Sequence, residues 1–302
     1  MNTAIRKGLL PLTEERCVIK VTGKDRLRYL NGQLTNDVRQ ASVDHAIYTC
    51  ITDAKGKLQA DAFLSEGQDG DSLWLDAPMD LRDVLLARLE RYIIADDVTL
   101  QDETGNWELW HTLEEEDAFP PDSWTRKANR FGHHGRDLLF PQGSLSLQSR
   151  GDREGWEALR ISLGMAQWGA ELRADLLPPE AKVEPRAIDY NKGCYIGQEV
   201  LSRIKSAKKV NRELQLLAAP SDSSLPIASL PTPLWIDEKE VGSLTSVMPI
   251  SMRSHFDRIF ALGFVKRGHA SPGVSLTCRT DEDGPSCQWE VLPFPLFPDP
   301  SA

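Results

Sequence analysis

The chain has 302 residues, 40% hydrophobic and 26% charged, with a formal net charge of −10. At roughly 150 residues per domain, that length can bury two or three separate cores. The acidic balance argues against a protein whose main surface is a nucleic-acid footprint, and no apolar run reaches the roughly 18 to 20 residues that span a bilayer.

Alternation of Cys17, Ile19 and Val21 predicts a strand, and Thr22-Gly23 opens an amphipathic helix carrying Leu27, Leu30 and Leu34. HAIYTCIT and KLQADAFL flank the turn residues Asp53-Ala54-Lys55-Gly56 and read as a β-hairpin. In its second strand Leu58, Ala60, Ala62 and Leu64 alternate with Gln59, Asp61 and Phe63. A strand SLWLDA follows, then a helix from about Pro78 with Leu81, Val84, Leu85, Leu89 and Tyr92 on one side, and a returning strand DVTLQDE. Residues 114–151, rich in Glu, Asp, Pro and Gly, predict a mixture of loop and short elements. A helix is expected from Arg153 to Leu163, and the paired prolines of DLLPPE stop regular structure after it. Another helix runs from Gly197 through Val200, Leu201 and Ile204. Beyond the strand RELQLLAAP, a segment from Pro220 to Pro233 rich in proline and serine reads as a linker or long loop. VGSLTSVM, RIFALGFVKR, GVSLTCRT and CQWEVLP then predict the short strands of a small barrel or sandwich. The tail PFPLFPDPSA is too proline-rich for regular structure.

One stretch concentrates the chemistry. Residues 192–199 read KGCYIGQE, placing an ammonium, a thiol, a phenol, an amide and a carboxylate around two backbone-permissive glycines, Gly193 and Gly197. Lys192 and the start of the following helix would both stabilise a thiolate at Cys194, a candidate reactive group. That thiol is suited to holding iron or a persulfide transiently, or to attacking a one-carbon adduct, and the residues do not choose among these. Around it, Lys182 to Arg212 carries eight basic residues against three acidic ones, which reads either as a solvated face or as a wall that steers an anionic ligand. The five cysteines are widely spaced without a CxxC, and the histidines lack metal-ligand spacing, so neither a disulfide framework nor a permanent metal site is expected.

The order LNGQLTNDV (30–38), YTCITDAKGKLQADAFL (48–64), RISLGMAQWGAEL (160–172), LLPPE (176–180), NKGCYIGQEVLSRIK (191–205), GSLTS (242–246) and ALGFVKR (261–267) resembles the YgfZ group of the folate-binding, glycine-cleavage T-protein-like superfamily. The resemblance spans nearly the whole chain, and the KGCYxGQE signature is its most specific part. It implies an α+β fold: a three-domain T-protein-like ring with an inserted α/β domain and a C-terminal β-barrel. The corresponding bounds are a discontinuous folate-binding domain over 1–44 and 113–211, an inserted domain over 45–112, and a barrel over 212–302. It also implies a tetrahydrofolate-binding accessory protein for assembly or maintenance of iron–sulfur clusters in client enzymes, tRNA-modifying enzymes included. The alternative is a folate-dependent aminomethyltransferase of glycine-cleavage type. Ala60 stands where those transferases carry an acidic residue beside the position of Asp61, a departure that weakens this alternative.

The catalytic candidates are then Cys194 and Lys192. Candidates for binding tetrahydrofolate or a one-carbon derivative are Asp61, Gln198, Glu199, Arg203, Tyr195, Gln33, Asn36 and Trp168. A pterin edge offers an amino group beside a ring N–H, which a carboxylate from Asp61 or Glu199 can accept twice, while Gln198 serves the neighbouring carbonyl. The planar fork of Arg203 suits the glutamyl carboxylates of folate, and Trp168 offers a face for stacking. Each also has a plain structural use: strand or helix surface, helix cap, or core aromatic. Expected partners are folate and iron–sulfur client enzymes. Weak tRNA contact through the basic run is a rival reading, and no membrane partner is expected. The expected state is a monomer in the cytoplasm, because the opening MNTAIRKGLLPLTEER carries no leader-like pattern, with the mitochondrial matrix as the alternative.

Overall fold

The computed structural model describes residues 8–113, 123–132, 134–144, 152–223, 229–279 and 286–295. In chain order the elements are β1 (Leu10–Pro11), β2 (Arg16–Thr22), α1 (Arg26–Gln33), β3 (His45–Thr52), β4 (Leu58–Glu66), β5 (Leu73–Pro78), α2 (Arg82–Glu90), β6 (Thr99–Asp102), β7 (Trp107–Thr112), β8 (Trp124–Ala128) and β9 (Arg136–Pro141). Then come α3 (Arg153–Ser162), α4 (Glu184–Ala187), α5 (Gln198–Ala207), β10 (Arg212–Pro220), β11 (Thr232–Ile236), β12 (Lys239–Val247), β13 (Arg258–Lys266), β14 (Ser275–Arg279) and β15 (Ser286–Val291). Among the described residues no helix is long and apolar enough to cross a membrane.

The first nine strands form one sheet in the order β1-β7-β9-β8-β3-β4-β5-β2-β6, and the last six close a barrel in the order β10-β13-β12-β11-β14-β15. Among the described residues, β3 and β8 are the only neighbouring strands of the sheet that pair in parallel. Strand β2 is seated among strands of the 45–112 segment, while β8 and β9 come from after it.

Strand alternation decides which side of the sheet does what. Cys17, Ile19, Val21, Ala60, Ala62, Leu64, Leu73 and Leu75 turn to one face and form a core with Tyr29, Leu30 and Leu34 at α1 and Leu85 and Leu89 of α2. The opposite face carries Arg16, Tyr48, Asp61, Phe63 and Asp76, and it is here that the cavity described below lies. The barrel has its own interior, with Leu234, Val241, Leu244, Ile259, Leu276 and Trp289 all buried.

The expected hairpin is β3–β4, and its tip is fixed by Asp53, whose Oδ1 accepts from the backbone N–H of Lys55 at 2.8 Å and of Lys57 at 2.9 Å. The predicted helix after Pro78 starts with a 3₁₀ turn at 79–81 and becomes α-helical at Arg82. Of the residues assigned to its inner side, Leu85 and Leu89 are buried, whereas Val84 and Tyr92 are exposed. An i, i+4 pair shares one stripe, and Val84 sits about 100° away from it. Leu27 of α1 is likewise exposed.

Two strands, β8 and β9, fall inside the window expected to be loop and short elements. Their charged residues Arg126 and Asp137 are interior side chains, which is why the alternation is not apolar. Parts of that window, 114–122, 133 and 145–151, lie outside the described residues, as do 224–228 of the expected linker and 296–302 of the tail. Strand β11, fourth in the barrel order, starts at the end of the proline-rich segment and had no counterpart in the expected strands.

Candidate functional site

A cavity of about 720 Å³ opens between the sheet face, helix α3 and the segment after α3. Its walls are aromatic and charged at once. Tyr48 of β3 and Phe63 of β4 lie with ring centroids 5.0 Å apart, and Phe131, Trp156 and Trp168 line other parts of the wall. Arg16, Arg130 and Arg186 bring guanidinium groups to the same space. The Arg130 guanidinium lies 4.2 Å from the Phe63 centroid and that of Arg186 lies 4.9 Å from the Tyr48 centroid. The in-plane N–H groups are engaged at the same time, those of Arg130 by Asp76 and Asp137 and that of Arg186 Nη2 by the Asn129 carbonyl.

Asp61 sits at this wall, 6% exposed. Its Oδ2 faces Arg16 Nη1 at 3.7 Å, while its Oδ1 is buried with no hydrogen-bond partner among the described residues. Buried carboxylate oxygens ordinarily have donors, so an orphaned one on a cavity wall marks where a ligand's N–H groups would be received. The plain reading of Asp61 as an outward polar strand residue does not describe this position.

Behind the wall lies a dense ionic layer. Asp76 accepts from Arg16 Nε at 2.9 Å, Arg126 Nη2 at 2.7 Å and Arg130 Nη2 at 2.8 Å. Asp137 accepts from Arg130 Nη2 at 2.7 Å and faces His111 Nδ1 at 2.9 Å. Burial alone would raise both carboxylates, but the surrounding arginines hold Asp76 and Asp137 below the usual carboxylate range. The same layer outweighs desolvation at Arg16 and Arg130 and keeps both firmly charged. Arg16 and Arg130 are therefore positioned cations, fixed before any ligand arrives.

The KGCYIGQE turn is placed elsewhere, against the end of α1 and the β3–β4 tip. Ile196 N–H donates to the Gly32 carbonyl at 3.2 Å, and Thr52 Oγ1 donates to the Ile196 carbonyl at 2.6 Å. Gly197 adopts φ +89°, and a Cβ there would meet the Asp53 carbonyl oxygen at 2.6 Å, so only glycine fits. Lys192 is buried and its ammonium donates to the carbonyls of Asn31 (2.8 Å), Leu34 (2.8 Å) and Asn36 (2.6 Å). All three of its donors are thereby used on carbonyls at and just beyond the C-terminal end of α1. Burial pushes this ammonium down to about 8. Through these three bonds Lys192 ties the motif to the fold. Cys194 itself is exposed, four residues ahead of the first residue of α5.

The remaining candidates divide. Trp168 is half-buried on the cavity wall with Asp61. Asn36 Nδ2 donates to the carbonyls of Tyr48 (2.9 Å) and Arg186 (3.1 Å), so it braces two wall residues from behind. Gln33 is buried and accepts from Arg88. Tyr195 is buried in the core beside Leu172, Leu201 and Leu214. Glu199 and Arg203 form an exposed i, i+4 pair at 2.8 Å on α5, and neither they nor Gln198 line the cavity. The basic run does not make one wall. Arg186 faces the cavity, Lys192 is internal, Lys182 reaches Gln215 of the barrel, and Lys205 covers the Tyr190 ring at 3.7 Å.

Sequence reasoning missed Arg16, Arg130 and Tyr48 as wall residues. Tyr48 was legible in the HAIYTCIT alternation, whereas the two arginines have no local pattern that marks them.

The chain is 27% identical over 248 residues to the tRNA-modifying protein YgfZ of Escherichia coli, covering 72% of this chain and 75% of that protein. It is 24% identical over 234 residues to an uncharacterized protein of Haemophilus influenzae, covering 76% and 81%. Its fold matches the crystal structure of glycine cleavage system aminomethyltransferase T from Bartonella henselae with a TM-score of 0.78 at 16% identity, covering 98% of this chain and 88% of that one. The chain has a YgfZ-type, aminomethyltransferase-like fold. No family model matches it. In this YgfZ-type fold the cavity and the cysteine turn are separate features, joined through Asn36, which touches the cavity wall with its side chain and Lys192 with its carbonyl.

Proposed function

We propose that the protein binds tetrahydrofolate or a one-carbon derivative in the cavity. In this reading it is an accessory protein for assembly or maintenance of iron–sulfur clusters in client enzymes, tRNA-modifying enzymes included, with Cys194 as the group presented to the client. The observation that carries the folate part is the buried Asp61 oxygen without a partner, between aromatic rings and fixed arginines. The residues present fit a folate. Asp61 suits the adjacent N–H donors of a pterin edge, Tyr48, Phe63 and Trp168 suit its flat ring, and Arg16, Arg130 and Arg186 suit its carboxylates. A bound reduced folate would supply nitrogen atoms that carry one-carbon units. The protein's own groups orient it: Asp61 receives N–H donors, and the aromatic wall excludes water from the ring faces.

The client part is supported by the name of the Escherichia coli relative, a tRNA-modifying protein, and by the exposure of Cys194 alone among the five thiols of the chain. The same reading divides the chain into a discontinuous unit of 1–44 with 113–211, a unit of 45–112 and a barrel of 212–302. A transferase reading has less to draw on, because Ala60 turns to the opposite face of β4 and packs in the α1–α2 core, so it offers no second group to the cavity.

The deciding experiment titrates tetrahydrofolate into wild type and Cys194→Ala and follows cluster activity of a client enzyme in parallel. Both proteins should bind folate saturably, and only Cys194→Ala should lose client support. Absence of folate binding by wild type rejects the cavity assignment, and full client support by Cys194→Ala rejects the thiol's role. Formation of methylene-tetrahydrofolate from a lipoylated aminomethyl carrier would establish the transferase instead.

A further inference from the structure

Strands β14 and β15 pair antiparallel with Cys278 directly opposite Cys287. Opposite residues on antiparallel strands point to the same face with Cα atoms about 4.5–5.5 Å apart. That range lies inside the roughly 4.4–6.8 Å that a disulfide requires. Both thiols are free, 0% and 4% exposed, and belong to the barrel interior with Leu276, Trp289 and Val291. They are near enough to act on each other. Burial and then the neighbouring Cys287 push the Cys278 thiol up to about 11.

Their place in the barrel gives the pair mechanical consequence. The β14–β15 hairpin closes the barrel through two short ladders. β15 meets β10 at Leu217↔Val291 and Ala218↔Glu290, and β14 meets β11 at Leu234↔Cys278 and Trp235↔Thr277. Cys278 stands on the second ladder itself. A bond between the two strands would make the closing hairpin one stiff unit where the barrel is most thinly joined.

We propose that Cys278 and Cys287 are a redox pair that forms a reversible cross-strand disulfide, locking the closing hairpin of the barrel. This is independent of the folate reading. The oxidant is a low-molecular-weight disulfide such as glutathione disulfide. Cys287, the less enclosed of the two, loses its proton and attacks one sulfur of that disulfide, whose S–S bond breaks and releases one glutathione thiolate. Cys278 in turn loses its proton and attacks the Cys287 sulfur of the mixed disulfide, expelling the second glutathione. Two protein thiols are oxidised, one small disulfide is reduced to two thiols, and the protons pass to the leaving thiolates and solvent. Intracellular disulfides, where they occur, are mostly transient and redox-sensing, in keeping with a reversible lock.

The sequence makes the test direct. Arg279 separates the two cysteines, so trypsin releases 268–279 with Cys278 and 280–302 with Cys287, each carrying no other cysteine. The full chain with Cys194→Ser, which removes the exposed thiol, is incubated with glutathione disulfide, both in buffer and in urea just below the unfolding midpoint to give the buried pair access. It is then digested without reductant. The expected product is the two peptides joined, lighter by two hydrogens than their sum, and separated again by dithiothreitol. The oxidised protein should unfold at a higher temperature than the reduced one. Recovery of both peptides as free thiols, or each bearing glutathione, under both conditions overturns the pair. A rise in unfolding temperature that persists in Cys194→Ser/Cys287→Ala overturns the lock, because the stiffening would then arise elsewhere.

Discussion

Asp61 shows how one side chain can be legible and its role still depend on distant groups. The alternation of KLQADAFL places it on the strand face opposite Ala60 and Ala62, and the structure keeps it there. What suits it to the proposed folate site is the company of Arg16 from β2 and the aromatic wall, which the hairpin alone does not contain. Charge-assisted hydrogen bonds contribute about 1.5–3 kcal/mol, so Asp61→Ala should weaken tetrahydrofolate binding about ten- to a hundredfold. Its unfolding temperature should not fall appreciably, because one oxygen has no partner to lose and Arg16 retains Asp76. Calorimetric titration beside thermal unfolding checks both, and unchanged affinity would remove Asp61 from the site. Lys192 teaches the reverse lesson. Two residues before Cys194 in sequence, it directs its charge to the carbonyls at and just beyond the end of α1, a destination that spacing along the chain does not encode.

At the scale of elements, the strands β7 and β9 are joined by a polar register pair, His111 opposite Asp137. Both side chains are fully buried. Burial pushes the His111 imidazole down from its ordinary value, and the hydrogen bond and charge of Asp137 only partly oppose it. The folded state therefore holds His111 neutral where the unfolded chain, near 6.5, begins to take up a proton. The unfolded state binds more protons below that point, so stability is complete above about pH 6.5 and falls as pH drops below it. Urea midpoints measured from about pH 7 down to about pH 5.5 should decline in wild type. They should stay nearly level in His111→Asn, which retains a donor toward Asp137 but does not titrate. A level wild-type profile would contradict the buried neutral histidine. The elements that periodicity revealed, β2, α1, β3, β4, β5, α3 and α5, bury apolar stripes. Those it blurred, β8 and β9, carry Arg126 and Asp137 into an interior where they neutralise each other, and β11 was hidden by the prolines around it.

The whole molecule depends on how the barrel is fastened to the rest. Glu171 is fully buried and its Oε1 accepts from Thr245 Oγ1 at 2.9 Å and Ser246 Oγ at 2.6 Å, both on β12. Its Oε2 accepts from Arg160 Nη1 of α3 at 2.8 Å and from the Gln167 N–H at 3.1 Å, next to the cavity residue Trp168. One carboxylate thus joins barrel, helix and cavity wall. Breaking a buried ion pair by removing one partner costs about 3–5 kcal/mol, and Glu171→Ala should lower the unfolding temperature and weaken folate binding together. Glu171→Gln, which keeps one accepting oxygen, should recover part of both. Intact folate affinity in a folded Glu171→Ala protein would show that Trp168 does not need this fastening.

The sequence by itself determined the hairpin, most of the helices, the all-β C-terminal part, the face on which Asp61 stands and the turn that carries Cys194. These follow from local rules: strand and helix periods, helix termini and residues such as Gly197 that the backbone requires. Only the tertiary structure decided that Arg16, Arg130 and Arg186 meet Asp61 around a cavity, that Lys192 is an internal tie, and that Glu199 and Arg203 pair with each other in solvent. The physical reason is that charges and rings remote along the chain meet only when sheet, helix and barrel close on one another. Where a charged group is buried depends on which partners are there to receive it.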